Sequence, residues 1–500
     1  MKRYIKNFMM AMMVGATVFG SSCTDSFEEV NTDPDSPTDV PTTNLLAYSL
    51  YYTSYRLYDR WFAMDEPMTF CGYASKMTYI DESRYNFRTG VQDTNWEYLY
   101  RILNNLKDIE KRATFNETPN MLNVSKVMQV HLMQVATDRW RDVPYTDAAK
   151  MTDGILQPKY DKQEDIYPGL LATLKEAADG FADGGSDDLG EGDLLFGGDI
   201  EKWQRYCNSM RLRLAMRISE VSPALAKETV EEVMGNPTKY PIMESNDDNA
   251  FFWWIGTDPN YYEPMADGYR TRKTEYCAAD VIVDHMNTRE DPRRSSYFQP
   301  TKESVEAGEP KYVGYTIGAK ANAVASKYSI WGARFFTDLA GFSPYMRVAE
   351  PWFCVAEASM LGWNTGISAE DAYNKAVTYS MEENSVSAED IADYLANAGK
   401  FTNDKKQIYY EEWVAMFKQG MEGWSLYRRT GVPDNLYPNH NVPPFRSPYP
   451  DKERNLNNAN CAPFDAEVVD NLWGKQMWWD TRTGVHQLLV NIDIPSACIL

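Results

Sequence analysis

Apolar side chains recur along this chain at the i, i+3, i+4, i+7 spacing of one helix face, segment after segment. Trp96, Leu99, Leu103 and Leu106 make one such face, and Val124, Met128, Leu132 and Val135 another. Ile166, Leu170, Leu174 and Phe181 follow. Trp203, Cys207, Met210, Leu214 and Ile218 then form a stripe that sets Arg211, Arg213 and Arg217 on other faces. Further on, Ala369, Ala372, Ala376 and Tyr379 form a small-residue stripe that lets a neighbouring helix come close. The longest stripe runs Tyr409, Trp413, Met416, Gly420, Trp424 and Tyr427. It ends in a stop signal: Arg428 and Arg429 suit the carboxyl end of the dipole, Gly431 can cap it, and Pro433 cannot continue it. The pattern predicts a helical protein of successive helix pairs, without a clean sequence period near ~34 residues.

Long irregular stretches separate these segments. Residues 239–275 carry Phe251, Phe252, Trp253, Trp254, Tyr261, Tyr262 and Tyr269, and residues 432–465 are rich in Pro and Asn. Loops of that length are functional or disordered, and the aromatic content argues against disorder. Residues 179–199 are rich in Gly and Asp, but their spacing does not fit a calcium loop, so a solvated acidic loop is expected.

The N-terminus reads as an address. Lys2, Arg3 and Lys6 precede an apolar run from Phe8 to Phe19, too short to cross the ~30 Å hydrocarbon core. Gly20, Ser21 and Ser22 then lead into Cys23, as lipoprotein processing requires. Residues 1–22 are therefore expected to be a signal peptide, with Cys23 the lipidated residue anchoring the chain to a membrane. Residues 23–40 form an acidic tether, 41–480 a single domain, and 481–500 a tail of unassigned role with a strand-like run from Gln487 to Ile492. Six further cysteines (Cys71, Cys207, Cys277, Cys354, Cys461 and Cys498) show no paired spacing, and buried free thiols are expected for most.

Composition narrows the function. A formal net charge of −22 repels nucleic acid and anionic lipid surfaces. Aromatic residues make up 13% of the chain, and Tyr and Trp suit both core packing and the stacking of sugars or peptides. With only four His, far apart, no metal site is expected. No phosphate-binding loop, nucleophile elbow or zinc-protease motif is present, so no catalytic residue and no cofactor are assigned.

From Cys23 to about Asp480 the chain resembles the SusD/RagB family of nutrient-binding outer-membrane lipoproteins, in its second, SusD-like branch. The resemblance is carried in order by Phe27 to Thr38, Thr137-Asp138-Arg139-Trp140-Arg141-Asp142-Val143-Pro144-Tyr145, Pro158 to Asp161, Asp193 to Asp199 before Trp203, and Asp291-Pro292-Arg293. Ala356-Glu357-Ala358, Trp424 through Gly431, and Trp478-Trp479-Asp480 complete it. It implies a mainly α fold: tetratricopeptide-like helix pairs packed against an irregular, loop-rich region with a few short strands. It also implies a surface-exposed, outer-membrane, lipid-anchored protein that binds an oligosaccharide or peptide and delivers it to a SusC-like TonB-dependent barrel, without catalysis. A lipid-anchored helical glycosidase, or a lid with little affinity of its own, are the alternatives.

Trp96, Trp140, Trp203, Trp413 and Trp424 lie on or beside helix stripes and are expected to pack. Arg139 and Arg141 are expected to pair with Asp138 and Asp142. The ligand candidates are aromatics off the stripes: Trp61, Tyr85, Trp253, Trp254, Tyr262 and Trp331. Core packing would explain each of the six as well as stacking does.

Overall fold

The computed structural model of the chain describes residues 40–272, 274–319, 323–436, 442–469 and 472–485. The signal sequence, Cys23, nearly all of the tether, Cys498 and the strand-like run Gln487 to Ile492 lie outside the described residues.

Ten longer helices dominate: α1 (Thr42–Leu57), α2 (Thr89–Phe115), α3 (Pro119–Trp140), α4 (Gln163–Asp183), α5 (Ile200–Arg217), α6 (Pro223–Gly235), α7 (Ala349–Met360), α8 (Ala369–Glu383), α9 (Lys405–Ala415) and α10 (Gly420–Thr430). Their starts follow local chemistry. Pro119 and Pro223 occupy first-turn positions where no N–H is needed, and Asp199 and Ser368 accept from Lys202 N and Asp371 N. At the far end of α10, Gly431 closes the helix in the left-handed conformation, its N–H donating to Tyr427 O.

Each helix packs on the next from α1 through α6; α7 then leans on α5 and carries α8 and α9. The expected stripes are the buried faces of this stack, and Trp96, Trp140, Trp203, Trp413 and Trp424 are all buried. Against it lie short helices and three two-stranded antiparallel sheets among the described residues. They are β1 (Ala74–Lys76) with β3 (Tyr276–Ala278), β2 (Ala250–Trp253) with β4 (Phe342–Met346), and β5 (Val468–Val469) with β6 (Trp473–Gly474). Cys71, Cys207, Cys277, Cys354 and Cys461 are buried free thiols.

Several expectations need correction. The longest stripe is two helices, because Lys418 turns left-handed (φ 80°) and buries its amine 3.2 Å from Glu263. Gly420 then lies so close to Met68 that a Cβ there would sit 2.5 Å from Met68 Cγ. The arginines of α5 lie off its apolar stripe as expected, and Arg211, Arg213 and Arg217 are nonetheless buried, because the helix is packed on all sides. Arg141 does pair with Asp142, but Arg139 pairs with Glu66, leaving Asp138 to Arg217 at 2.6 Å. The acidic loop is more than a solvated one. Asp187 accepts the Asn120 and Met121 N–H groups that open α3, both at 2.9 Å, and Asp193 accepts from Trp203 Nε1 at 2.8 Å. Asp187→Ala should therefore lower stability by about 1 kcal/mol, as loss of a helix cap does, measurable by urea denaturation.

The core between α5, α7, α9 and α10 holds a cavity of about 10 Å³ lined by Arg213, Arg217, Glu350, Glu412, Glu422 and Arg429. No described residue donates a hydrogen bond to the Glu412 carboxyl, and burial pushes it up to about 8. The native state thus keeps a proton that the unfolded chain gives up near its ordinary value, so this group's stabilisation drains away as pH rises from about 4.5 to about 8. Glu412→Gln is expected to flatten that part of the thermal-stability profile, with the difference from wild type growing between pH 5 and 8.

Candidate functional site

Asp59 caps a single π-helical turn, Arg60–Met64, by accepting the Phe62 N–H at 2.7 Å. That turn presents Trp61, half-buried, with two guanidiniums near its ring. The Arg60 Cζ lies 4.3 Å and the Arg88 Cζ 5.2 Å from the Trp61 ring. Cations held over an indole face fix its orientation and attract its π cloud.

The cations are themselves fixed from below. Arg60 donates to Asp65 (3.2 Å) and Glu275 (2.6 Å), and Arg88 to Glu82 (2.7 Å). Buried Lys76, on β1, sits 3.1 Å from Asp65, 2.8 Å from Glu82 and 3.3 Å from Glu275. Tyr276 of β3 donates to Asp65 at 2.6 Å. Burial works against the charge on Glu82, but the Lys76 hydrogen bond and charge outweigh it and hold the carboxyl below its ordinary value. The β1–β3 pair thus carries a neutralised ionic bed with one aromatic plane laid on top.

A second aromatic group stands at the end of β2. Trp253 is 60% exposed, its ring 5.3 Å from Phe342 and 6.0 Å from Phe251. Gly256 (φ +73°) turns the chain beneath it, where a Cβ would meet Ala340 N at 2.6 Å, so only glycine fits. Ile255 and Tyr261 are also exposed. Tyr51 of α1 reaches this loop, donating to Asn260 O at 2.5 Å with its ring 5.9 Å from Tyr261. Tyr51 stacks on Tyr55 (6.2 Å) and Tyr52 on Tyr98 (6.2 Å), with the Arg56 Cζ 3.6 Å from the Tyr98 ring. The short helix Pro264–Thr271 follows Tyr262, packs on the Arg60–Met64 turn and holds Arg270 5.6 Å over half-buried Tyr262. We take these two aromatic groups, edged by arginines and acids, together as one candidate strip, since exposed apolar side chains grouped on a surface mark binding regions.

Of the six sequence candidates, Trp61, Trp253 and Tyr262 lie on this strip. The other three are corrected, because packing covers their rings. Tyr85 stands edge-on to Phe70 and Trp473, both at 5.8 Å. Trp254 is 4% exposed and donates to Ser343 Oγ at 2.9 Å. Trp331 is 1% exposed, donates to Tyr73 O at 3.2 Å and lies 4.4 Å from Phe336. The half-buried tyrosines of α1 were missed. Tyr48, Tyr51, Tyr52 and Tyr55 are spaced i, i+3, i+4, i+7, a legible stripe that would have pointed to them. Among the described residues no group of three or more His, Cys, Asp or Glu is placed to hold a metal, and no helix is long and apolar enough to cross a membrane.

Comparison with known proteins bears on the family and the fold. Residues 34–450 match the profile of a SusD-like family described as "Starch-binding associating with outer membrane". A solved chitin-binding protein is 27% identical, with a TM-score of 0.77 over 88% of this chain and 100% of its own. A SusD-like protein from Bacteroides thetaiotaomicron (24% identity, TM-score 0.76, 89% and 99% covered) shares the fold. So does a chitin-binding SusD homolog from Flavobacterium johnsoniae (23%, 0.72, 89% and 98%). No curated protein matches the chain. Spanning most of the sequence, the family match and the shared helical fold lead to one conclusion: this chain belongs to the SusD-like family.

Proposed function

We propose that this protein is a lipid-anchored, cell-surface binding protein, acylated at Cys23, that captures soluble oligosaccharide and passes it to a SusC-like TonB-dependent barrel without cleaving it. The observation that carries the reading is the aromatic strip from Trp61 through Tyr262 to Trp253. A pyranose offers an apolar C–H face to such planes, while neighbouring Arg, Asn and Asp groups take its hydroxyls. The family description and the chitin-binding relative favour a glycan over a peptide, with starch-type and chitin-type chains the first to try. The ionic bed under Trp61 serves preorganisation: the ring is held before ligand arrives, so less ordering entropy is lost on binding.

Retention on immobilised polysaccharide tests the reading. The mature chain carrying Cys23→Ser is expected to be retarded on insoluble chitin or starch, and Trp61→Ala with Trp253→Ala to be retarded markedly less. Equal retardation of both proteins would contradict a role for the strip. Separately, labelled palmitate should enter the full-length chain in its native host and fail to enter Cys23→Ser.

A further inference from the structure

We propose that the cleft between α2, α3, α4 and the loop 145–153 is a second saccharide site, independent of the aromatic strip; it rests on the reading above that the protein binds glycans. The cleft holds about 780 Å³, within the ~300–1,000 Å³ range of small-molecule sites, and shares no residue with the strip.

Its construction is what separates it from an ordinary groove between helices. The lip is pinned. Asp161 accepts the Tyr145 N–H (2.9 Å), the Thr146 N–H (2.8 Å) and the Thr146 hydroxyl (2.9 Å), and Val143 bridges to Asp161 in antiparallel fashion. Within that lip Ala149 is held at φ 58°, a left-handed conformation that a non-glycine residue adopts at a cost and that collects at functional sites. Gly169 of α4 leaves the space that the Tyr145 hydroxyl fills, since a Cβ there would lie 2.8 Å from it. A fixed aromatic ring therefore forms one wall.

The chemistry of the lining selects the ligand class. The floor is apolar, with Leu103, Val130, Met133 and Leu170 buried beneath it. Four lysines and four carboxylates line the walls, and pairs such as Lys107–Glu110 (3.0 Å) and Lys126–Glu176 (3.1 Å) neutralise one another. The cleft has no excess charge with which to select an ion. What remains is a set of neutral donors and acceptors. Asn104 and Asn105 face it from α2, and Gln129 spends its amide on Glu110 (3.0 Å) while no described residue donates to its Oε1. An apolar floor, one ring wall and amide side chains above suit a neutral, hydroxyl-rich molecule with an apolar face, which describes a short oligosaccharide.

Calorimetric titration of the Cys23→Ser mature chain with maltohexaose and with the N-acetylglucosamine hexamer tests this. Wild type should show two classes of site. Trp61→Ala with Trp253→Ala should leave the cleft's saturable heat. Adding Asn104→Ala and Asn105→Ala, or adding Asn105→Trp alone to plug the cleft, should weaken that remaining site at least tenfold with unchanged circular dichroism. A strip variant that is already silent, while wild type binds, overturns the cleft and leaves the strip standing. Residual heat that survives both cleft changes also overturns it. A wild type silent to every glycan overturns both readings.

Discussion

Glu422→Ala is expected to cost about 3–5 kcal/mol of unfolding free energy, because it takes from two buried cations the carboxylate they share. Glu422, on α10, accepts from Arg217 at 2.5 Å and from Gln134 at 2.7 Å, and lies 3.6 Å from Arg213. Burial alone would raise its pKa, yet Arg213 and Arg217 override burial and hold the carboxyl well below its ordinary value. Arg217 continues to Asp138 on α3, which also accepts from Tyr167 of α4 (2.6 Å) and from Trp479 near the end of the described chain (3.2 Å). Arg213 continues to Glu350 of α7. One network thus ties α3, α4, α5, α7 and α10, and removing its central acid leaves Arg217 with Asp138 alone and Arg213 with Glu350 alone in a low-dielectric interior. Guanidinium denaturation measures the loss, and a change under about 1 kcal/mol, the range of an exposed pair, would refute it.

Trp61→Ala is expected to weaken glycan binding about 30-fold, near 2 kcal/mol, while leaving the fold intact. The ring is half-buried on a surface turn and its removal opens no core cavity. What is lost is the stacking plane that Arg60 and Arg88 hold in place. Trp331→Ala makes the control: fully enclosed, it should lower stability by about 3–5 kcal/mol through cavity formation. A titration of each variant alongside its melting curve separates the two roles. Loss of affinity in Trp331→Ala with an unchanged melt would reverse the assignment.

The helical side of the molecule was legible because its signals are local. Stripes such as Val124, Met128, Leu132 and Val135 need only the helical period to be seen, and the Gly431 cap needs only its neighbours. The burial of the α5 arginines was not legible for a related reason: periodicity distinguishes one apolar face from the rest, but not a helix whose other faces meet carboxylates from α3, α6, α7 and α10. The strip resisted because it is assembled from segments far apart in the chain. Trp61, Tyr262 and Trp253 are related only through a short helix and a glycine turn, and no sequence pattern separates them from Trp254 or Trp331. Exposure decides that, and exposure is a property of the fold. The cleft, built from Asp161 pinning a loop beside three helices, was equally out of reach.

Isothermal titration of the mature chain carrying Cys23→Ser, against soluble starch-type and chitin-type oligosaccharides with product analysis afterwards, tests the central claim most directly. The account predicts saturable heat with one glycan class, much reduced in Trp61→Ala with Trp253→Ala, and recovery of the oligosaccharide uncut. Silence toward both classes, or shortened oligosaccharide in the cell after titration, would contradict it.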